Sequence, residues 1–294
     1  MTSRLSLNSA TCKYLSLAQC VEAAQAASIE AIGVWRDRVQ EIGVAAAARL
    51  IHSAGLRVSS LCRGGFLTGS ESGQIDAALA DNRTAIDEAA GLGAAELVMV
   101  VGGLPAGFAA MGLPHSPADQ TDKNLVAARQ RVADRIGDLV AYARERGVRL
   151  ALEPMHPLFT ADRGVLTSLA QALDIAADHS PAEVGVVVDT YHVWWDPALA
   201  SSIARAGQEQ RISSYQICDW ILPLKADSLN SRGLMGEGYI DFPTITGWVG
   251  QTGYAGDIEV EIFNEEIWAQ PAELTLGQLK QRYTALVEPY LSQG

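Results

Sequence analysis

Short apolar runs recur along the chain at residues 5–7, 31–35, 56–61, 97–101, 150–153, 184–189, 212–217 and 258–263. Each is four to six residues long or shorter, rich in Val, Ile and Leu, and reads as a strand buried on both faces. Between them, residues 17–27, 74–91, 123–146, 167–177 and, after the last run, 274–291 carry Ala, Leu, Glu and Arg at helical spacing. Strand and helix alternate throughout, which requires a parallel sheet covered by helices. Eight units of roughly 30 to 40 residues favour a closed (β/α)8 TIM barrel over an open doubly wound sheet. The open sheet would show a glycine-rich phosphate loop after an early strand. The first strand instead runs into Asn8-Ser9-Ala10-Thr11, with no GxGxxG. No linker or internal repeat interrupts the 294 residues, so residues 1–294 are expected to form one domain. Two longer connections follow the fourth and seventh strands, 102–122 with Pro105, Pro114, His115 and Pro117, and 220–242. Both lie on the side of a barrel where active sites form, as lids, substrate walls or plain surface excursions.

Four of the later strands end in a residue that can offer oxygen to a metal: Glu153 in LALEP, Asp189 in VVVD, Gln216 in SYQICD and Glu261 in IEVEIF. A charge closing a buried strand costs several kcal/mol, about the price of leaving any ion unpaired, unless it is compensated. Four such endings therefore point to convergence on one cavity. Three carboxylates and an amide suit Mn²⁺ or Mg²⁺, with Co²⁺ or Zn²⁺ as further options.

The stretches ALEP ending at Pro154, VVVDTYHVWWDP at 186–197, SYQICDW at 214–220, GEGYIDFP at 236–243 and EVEIFN at 259–264 resemble the xylose-isomerase-like TIM-barrel superfamily, over nearly the whole chain. That superfamily includes sugar phosphate isomerase/epimerase relatives, inosose isomerases and dehydratases, and endonuclease-IV-type repair enzymes. The resemblance implies metal ligation by Glu153, Asp189 and Glu261, with the strand-seven ligand falling on Gln216 where many relatives have His. Gln also occurs there in the hydroxypyruvate-isomerase branch, and it weakens a preference for Zn²⁺. In the related ketose epimerases the first and last ligand glutamates also move the proton, which makes Glu153 and Glu261 the catalytic pair. The resemblance thus implies an isomerase or epimerase acting on a keto-sugar or inositol derivative by proton transfer through a metal-stabilised enediolate. A metal-dependent lyase of the inosose-dehydratase or C-glycoside-deglycosidase kind is the alternative, since the same enediolate can expel a neighbouring group.

Other residues have two readings each. His192, three residues past Asp189, resembles the family's substrate-binding or second-layer histidine, or is a satisfied structural residue. His156, three past Glu153, suits a general acid or base, or a hydrogen bond that fixes its loop. Arg63 in LCRGGF could meet a substrate oxygen or carboxylate, or form a surface salt bridge. Trp35, Trp194, Trp195 and Trp220 offer flat walls for sugar C–H faces, or serve packing. Lys225 and Arg232, in the strand-seven loop, each read as solvated rather than as anion contacts.

Composition narrows the classes. A net charge of −12 and only five histidines disfavour nucleic acid and the multi-zinc repair branch. No apolar stretch is long enough for a membrane span, and the polar interruptions at Asn8 and Thr11 do not suit a secretory signal, so the cytoplasm is expected. Four scattered cysteines, Cys12, Cys20, Cys62 and Cys218, read as reduced thiols of no assigned role. The expected partner is a small sugar-like molecule. A homo-oligomer is left open, because no interface is visible in the sequence.

Overall fold

The computed structural model describes residues 4–113, 115–117 and 119–291. Eight parallel strands close into a barrel in sequence order: β1 (Leu5–Asn8), β2 (Ala31–Trp35), β3 (Arg57–Gly65), β4 (Glu96–Val100), β5 (Arg149–Leu152), β6 (Val184–Asp189), β7 (Ile212–Ile217) and β8 (Ile258–Val260). The seam is β8 against β1, with Leu5 opposite Ile258 and Leu7 opposite Val260. This is the TIM barrel, and closure removes the open-sheet alternative. No helix among the described residues is long and apolar enough to cross a membrane.

Period-two alternation along the strands decides what faces inward. Leu5 and Leu7, Leu150 and Leu152, Val184, Val186 and Val188, Tyr215 and Ile217, and Ile258 and Val260 join the main core under the helices. Cys62, Val98, Ala151 and Val187 form a separate apolar cluster with Trp35. The polar residues between the core positions, Glu153, Asp189, Gln216, Glu259 and Glu261, are all buried. Glu259 takes hydrogen bonds from Asn8 Nδ2 (2.6 Å), Ser59 Oγ (2.6 Å) and Ser60 Oγ (2.8 Å), so one acidic residue inside the barrel is satisfied by protein alone. Gly33 makes room for it, since a Cβ there would come within 2.4 Å of the Glu259 carboxylate oxygens.

Two strand ends differ from the sequence expectation by more than one residue. β3 continues past residue 61 to Gly65, because Asn82 of the helix Ser72–Leu92 accepts from the Gly65 N–H (2.7 Å) and donates to its carbonyl (2.8 Å). Only glycine fits there: φ is +116° and a Cβ would overlap the Val100 carbonyl. β8 stops at Val260 because side chains take over its backbone groups. Thr11 Oγ1 accepts from the Ile262 N–H (2.9 Å), and Arg232 Nη1 reaches the Glu261 carbonyl (3.3 Å). The last helix, Ala272–Leu286, also ends before residue 291, just ahead of Pro289, which cannot donate to a continuing helix.

The loop at 102–122 contains short turns at Pro105–Gly107 and Asp119–Thr121, and Met111 from it reaches the barrel mouth; Pro114 lies outside the described residues. In the loop at 220–242, Asp219–Trp220 pairs antiparallel with Arg232–Gly233.

Candidate active site

Glu153 leaves the end of β5 with its N–H bonded to the Met99 carbonyl (3.1 Å), Asp189 closes β6, and Glu261 follows β8. Ligand atoms of Glu153, Asp189 and His192 lie within 4.8 Å of one another. Glu261 joins them through Arg232, whose Nη1 donates to Asp189 Oδ2 (3.2 Å) and to Glu261 Oε2 (3.0 Å). Trp35 Nε1 donates to the other Glu261 oxygen (3.0 Å) and fixes that carboxylate from the side. Gln216 is paired in register with Asp189, and its Nε2 faces Glu259 Oε1 at 3.5 Å. Its amide oxygen is then the atom a cation could use.

Three buried carboxyl groups lie around one guanidinium that touches only Asp189 and Glu261, and their proton affinities show the imbalance. Burial, then the charges of Asp189 and Glu261, push the Glu153 carboxyl well above its ordinary range. Burial raises Asp189 against the opposing pull of Arg232. Glu261 rises to about 7, through burial first, with Arg232 again opposing and Asp189 adding. Acidic oxygens that hold protons for want of positive charge form a donor set that fits a divalent cation.

His192 is buried and burial, then Arg232, lowers its pKa well below the usual value, so it is neutral at pH 7. Its Nδ1 accepts the His156 backbone N–H at 3.2 Å. Its Nε2 faces a second donor, Arg232 Nη2, at 3.0 Å, and a neutral imidazole accepts at only one of its two nitrogens. His156 is pushed to about 4 by burial, and its own Nδ1 accepts the Leu158 N–H (3.2 Å).

The cavity at this end of the barrel has a volume of about 200 Å³. Trp35, Arg63, Glu153, His192 and Glu261, all singled out in the sequence, line it. Trp220 and His156 stand outside that lining, stacked on each other with ring centroids 4.6 Å apart. Trp194 packs on Trp220, and Trp195 donates to the His192 carbonyl (2.9 Å). Arg63 forms no salt bridge among the described residues; its guanidinium lies 4.1 Å from the centre of the Phe66 ring.

Arg232 overturns its sequence expectation. It is not solvated but 2% exposed, between the carboxylates and over the Tyr191 ring (4.7 Å). Nothing in its local pattern marks it, since its burial depends on how the loop is tied down. Lys225, by contrast, does lie at the surface, paired with Glu266 (2.7 Å). The tie is Asp219, a second residue that the sequence left without a role. Its carboxylate accepts the N–H groups of Trp220 (2.8 Å), Gly236 (2.8 Å), Gly238 (2.7 Å) and Ile240 (3.0 Å). The motifs SYQICDW and GEGYIDFP are thus two halves of one knot. A Cβ on Gly238 would lie 2.0 Å from the Trp220 carbonyl, which explains the glycine.

A closed parallel barrel with an acidic cluster at the C-terminal ends of its strands defines a class of barrel proteins with a candidate metal centre. Residues 20–282 match the family described as Xylose isomerase-like TIM barrel, and the chain belongs to that family. The L-ribulose 3-epimerase of Methylomonas sp. (strain DH-1) is a distant relative, 26% identical over 238 residues that cover 80% of this chain and 70% of that one. A crystal structure of a protein from Sinorhizobium meliloti 1021 matches at 41% identity and a TM-score of 0.89, covering 98% of this chain and 99% of the other. The fold is also that of a crystal structure of IOLI protein with a binding zinc atom, at 18% identity and a TM-score of 0.80, covering 98% and 99% of the two chains.

Proposed function

We propose that this protein is a divalent-metal-dependent isomerase or epimerase of keto-sugar or inositol derivatives, with Mn²⁺ or Mg²⁺ as the ion. The observation that carries this reading is the buried meeting of Glu153, Asp189 and His192 within 4.8 Å, with Glu261 tied to Asp189 through Arg232. Glu153, Asp189, Glu261 and the Gln216 amide oxygen would hold the ion. When bound, it would polarise a substrate carbonyl and offset the charge left by proton loss from the neighbouring carbon. The distant relationship to an L-ribulose 3-epimerase and the zinc in the IOLI protein support the same chemistry.

The chain's own groups supply the rest. Glu261 and Glu153 exchange the proton, as the first and last ligand glutamates of the barrel. His192 lines the cavity where a substrate oxygen would lie, with His156 orienting its ring through the backbone. Trp35 fixes the Glu261 carboxylate and forms one wall of the cavity.

The test is hydrogen exchange at carbon, read by proton NMR of ketoses incubated in D2O with Mn²⁺-loaded protein whose metal content is measured. Exchange by the wild type and its loss by at least about 100-fold in Glu261→Gln is the expected result. Wild-type protein that binds no metal, or a variant that exchanges normally, contradicts the proposal. The same spectra reveal an eliminated product, which would assign the lyase alternative.

A further inference from the structure

We propose that the substrate is an anion, a keto-sugar acid whose carboxylate is bound by the Arg63 guanidinium. This rests on the functional reading above and adds the substrate class to it.

The cavity wall is poor in neutral polar groups. Trp35, Phe66, Val100, Met111, Met155 and Phe263 supply much of it, and among the described lining residues there is no Ser, Thr, Asn, Gln or Tyr. A neutral ketose brings several hydroxyl groups, each needing a partner once removed from water. The polar side chains that do line the cavity are mostly ionisable, the arginines Arg63, Arg163 and Arg232 and the carboxyls Glu153 and Glu261, beside neutral His192, Cys62 and the Trp35 indole.

Of these three arginines, two are already matched. Arg163 pairs with Asp162 (2.5 Å) and Asp227 (2.9 Å), and Arg232 with Asp189 and Glu261. Arg63 forms no salt bridge among the described residues, with Asp81 and Glu153 acting on it only through space, and rests on aromatic rings, Phe66 at 4.1 Å and Trp35 at 6.0 Å. Burial lowers its pKa, so holding it charged there costs free energy that an anionic partner would offset. Its position is built rather than incidental. Asn82 grips the adjoining Gly65 backbone, and Phe66 is held at φ 55°, a left-handed conformation uncommon for a bulky side chain.

One further donor beside the cavity lacks an acceptor: Arg232 Nε is buried without a partner. The glycines after Arg63 do not form an anion nest, since Asn82 takes the Gly65 N–H and the Val100 carbonyl the Phe66 N–H, and a lone planar guanidinium matches the fork of a carboxylate better than a phosphate dianion.

The test is calorimetric titration of the Mn²⁺-loaded full chain with D-fructose, its acid counterparts 2-keto-D-gluconate and D-fructuronate, and D-fructose 6-phosphate. At least one acid should bind about tenfold or more tightly than D-fructose. Arg63→Gln should erase that preference while leaving Mn²⁺ affinity within about threefold; Arg63→Lys should restore part of it. Equal binding of acid and neutral sugar, no measurable binding of either acid at millimolar concentration, or an unchanged preference in Arg63→Gln overturns the proposal. Tighter binding of the phosphate ester than of both acids overturns it in favour of a phosphorylated substrate. Failure to take up Mn²⁺ would instead count against the metal-dependent function itself.

Discussion

Arg232 sits where positive charge is scarcest. It donates from one nitrogen to two carboxylates that repel each other, and no other cation contacts them among the described residues. Removing it leaves buried acids with no counter-charge. Arg232→Met is therefore expected to destabilise the metal-free protein by about 3 kcal/mol in urea unfolding. Added Mn²⁺ should recover much of that loss, because the ion supplies the same compensation. A variant as stable as the wild type without metal would show that the carboxyls are held neutral and need no cation. Nearest-neighbour sequence could reveal the acids but not this arginine. Glu153, Asp189, Gln216 and Glu261 announce themselves as polar endings of apolar strands, whereas Arg232 lies in a loop whose course no periodicity describes.

At the scale of elements, the strands were legible because each is a short, near-continuous apolar run between helical patterns. Residues 31–35, 184–189 and 212–217 are strands with the bounds that pattern alone gives. The ends misplaced by more than one residue, at β3 and β8, are those where side chains from elsewhere, Asn82, Thr11 and Arg232, take up backbone hydrogen bonds. The strand-seven loop was legible as two motifs but not as one object, because Asp219 and the glycines it binds are 17 to 19 residues apart. Replacing Asp219 by Asn keeps the shape but turns one acceptor into a donor facing backbone N–H groups. A loss of about 3 kcal/mol is expected from that change. Slowed turnover with normal Mn²⁺ uptake should accompany it, since the loop carries Arg232; unaltered stability would show that the knot contributes little.

For the whole molecule, the acidic centre links metal, pH and stability. Carboxyls whose pKa values are raised by folding favour the folded state while protonated. Their contribution is complete below the unfolded carboxyl range and is lost as pH rises through the folded values, which for Glu261 means about 7. The metal-free protein should therefore melt at progressively lower temperature between about pH 5 and 8. The gain in melting temperature on adding Mn²⁺ should be larger at pH 8 than at pH 6, as fewer protons then compete for the oxygens. Differential scanning fluorimetry across that range measures both, and a gain that shrinks with rising pH would contradict the assignment of these carboxyls as ligands. The barrel itself was readable from the count and order of its units. The shape of its mouth was not, because that depends on long connections such as 102–122 and 220–242, whose residues reach the cavity from far along the chain.

The short ribbon of Asp219–Trp220 against Arg232–Gly233 has a consequence for how such a mouth can change. Both feet of the intervening arch, residues 221–231, are clamped, one beside the strand that carries Gln216 and the other at the buried arginine. Leu229 is the point at which the arch reaches the cavity. Lengthening, shortening or rewriting the arch would therefore alter the ceiling over a guest while the charged floor stays in place, giving one chemistry room to acquire new substrates.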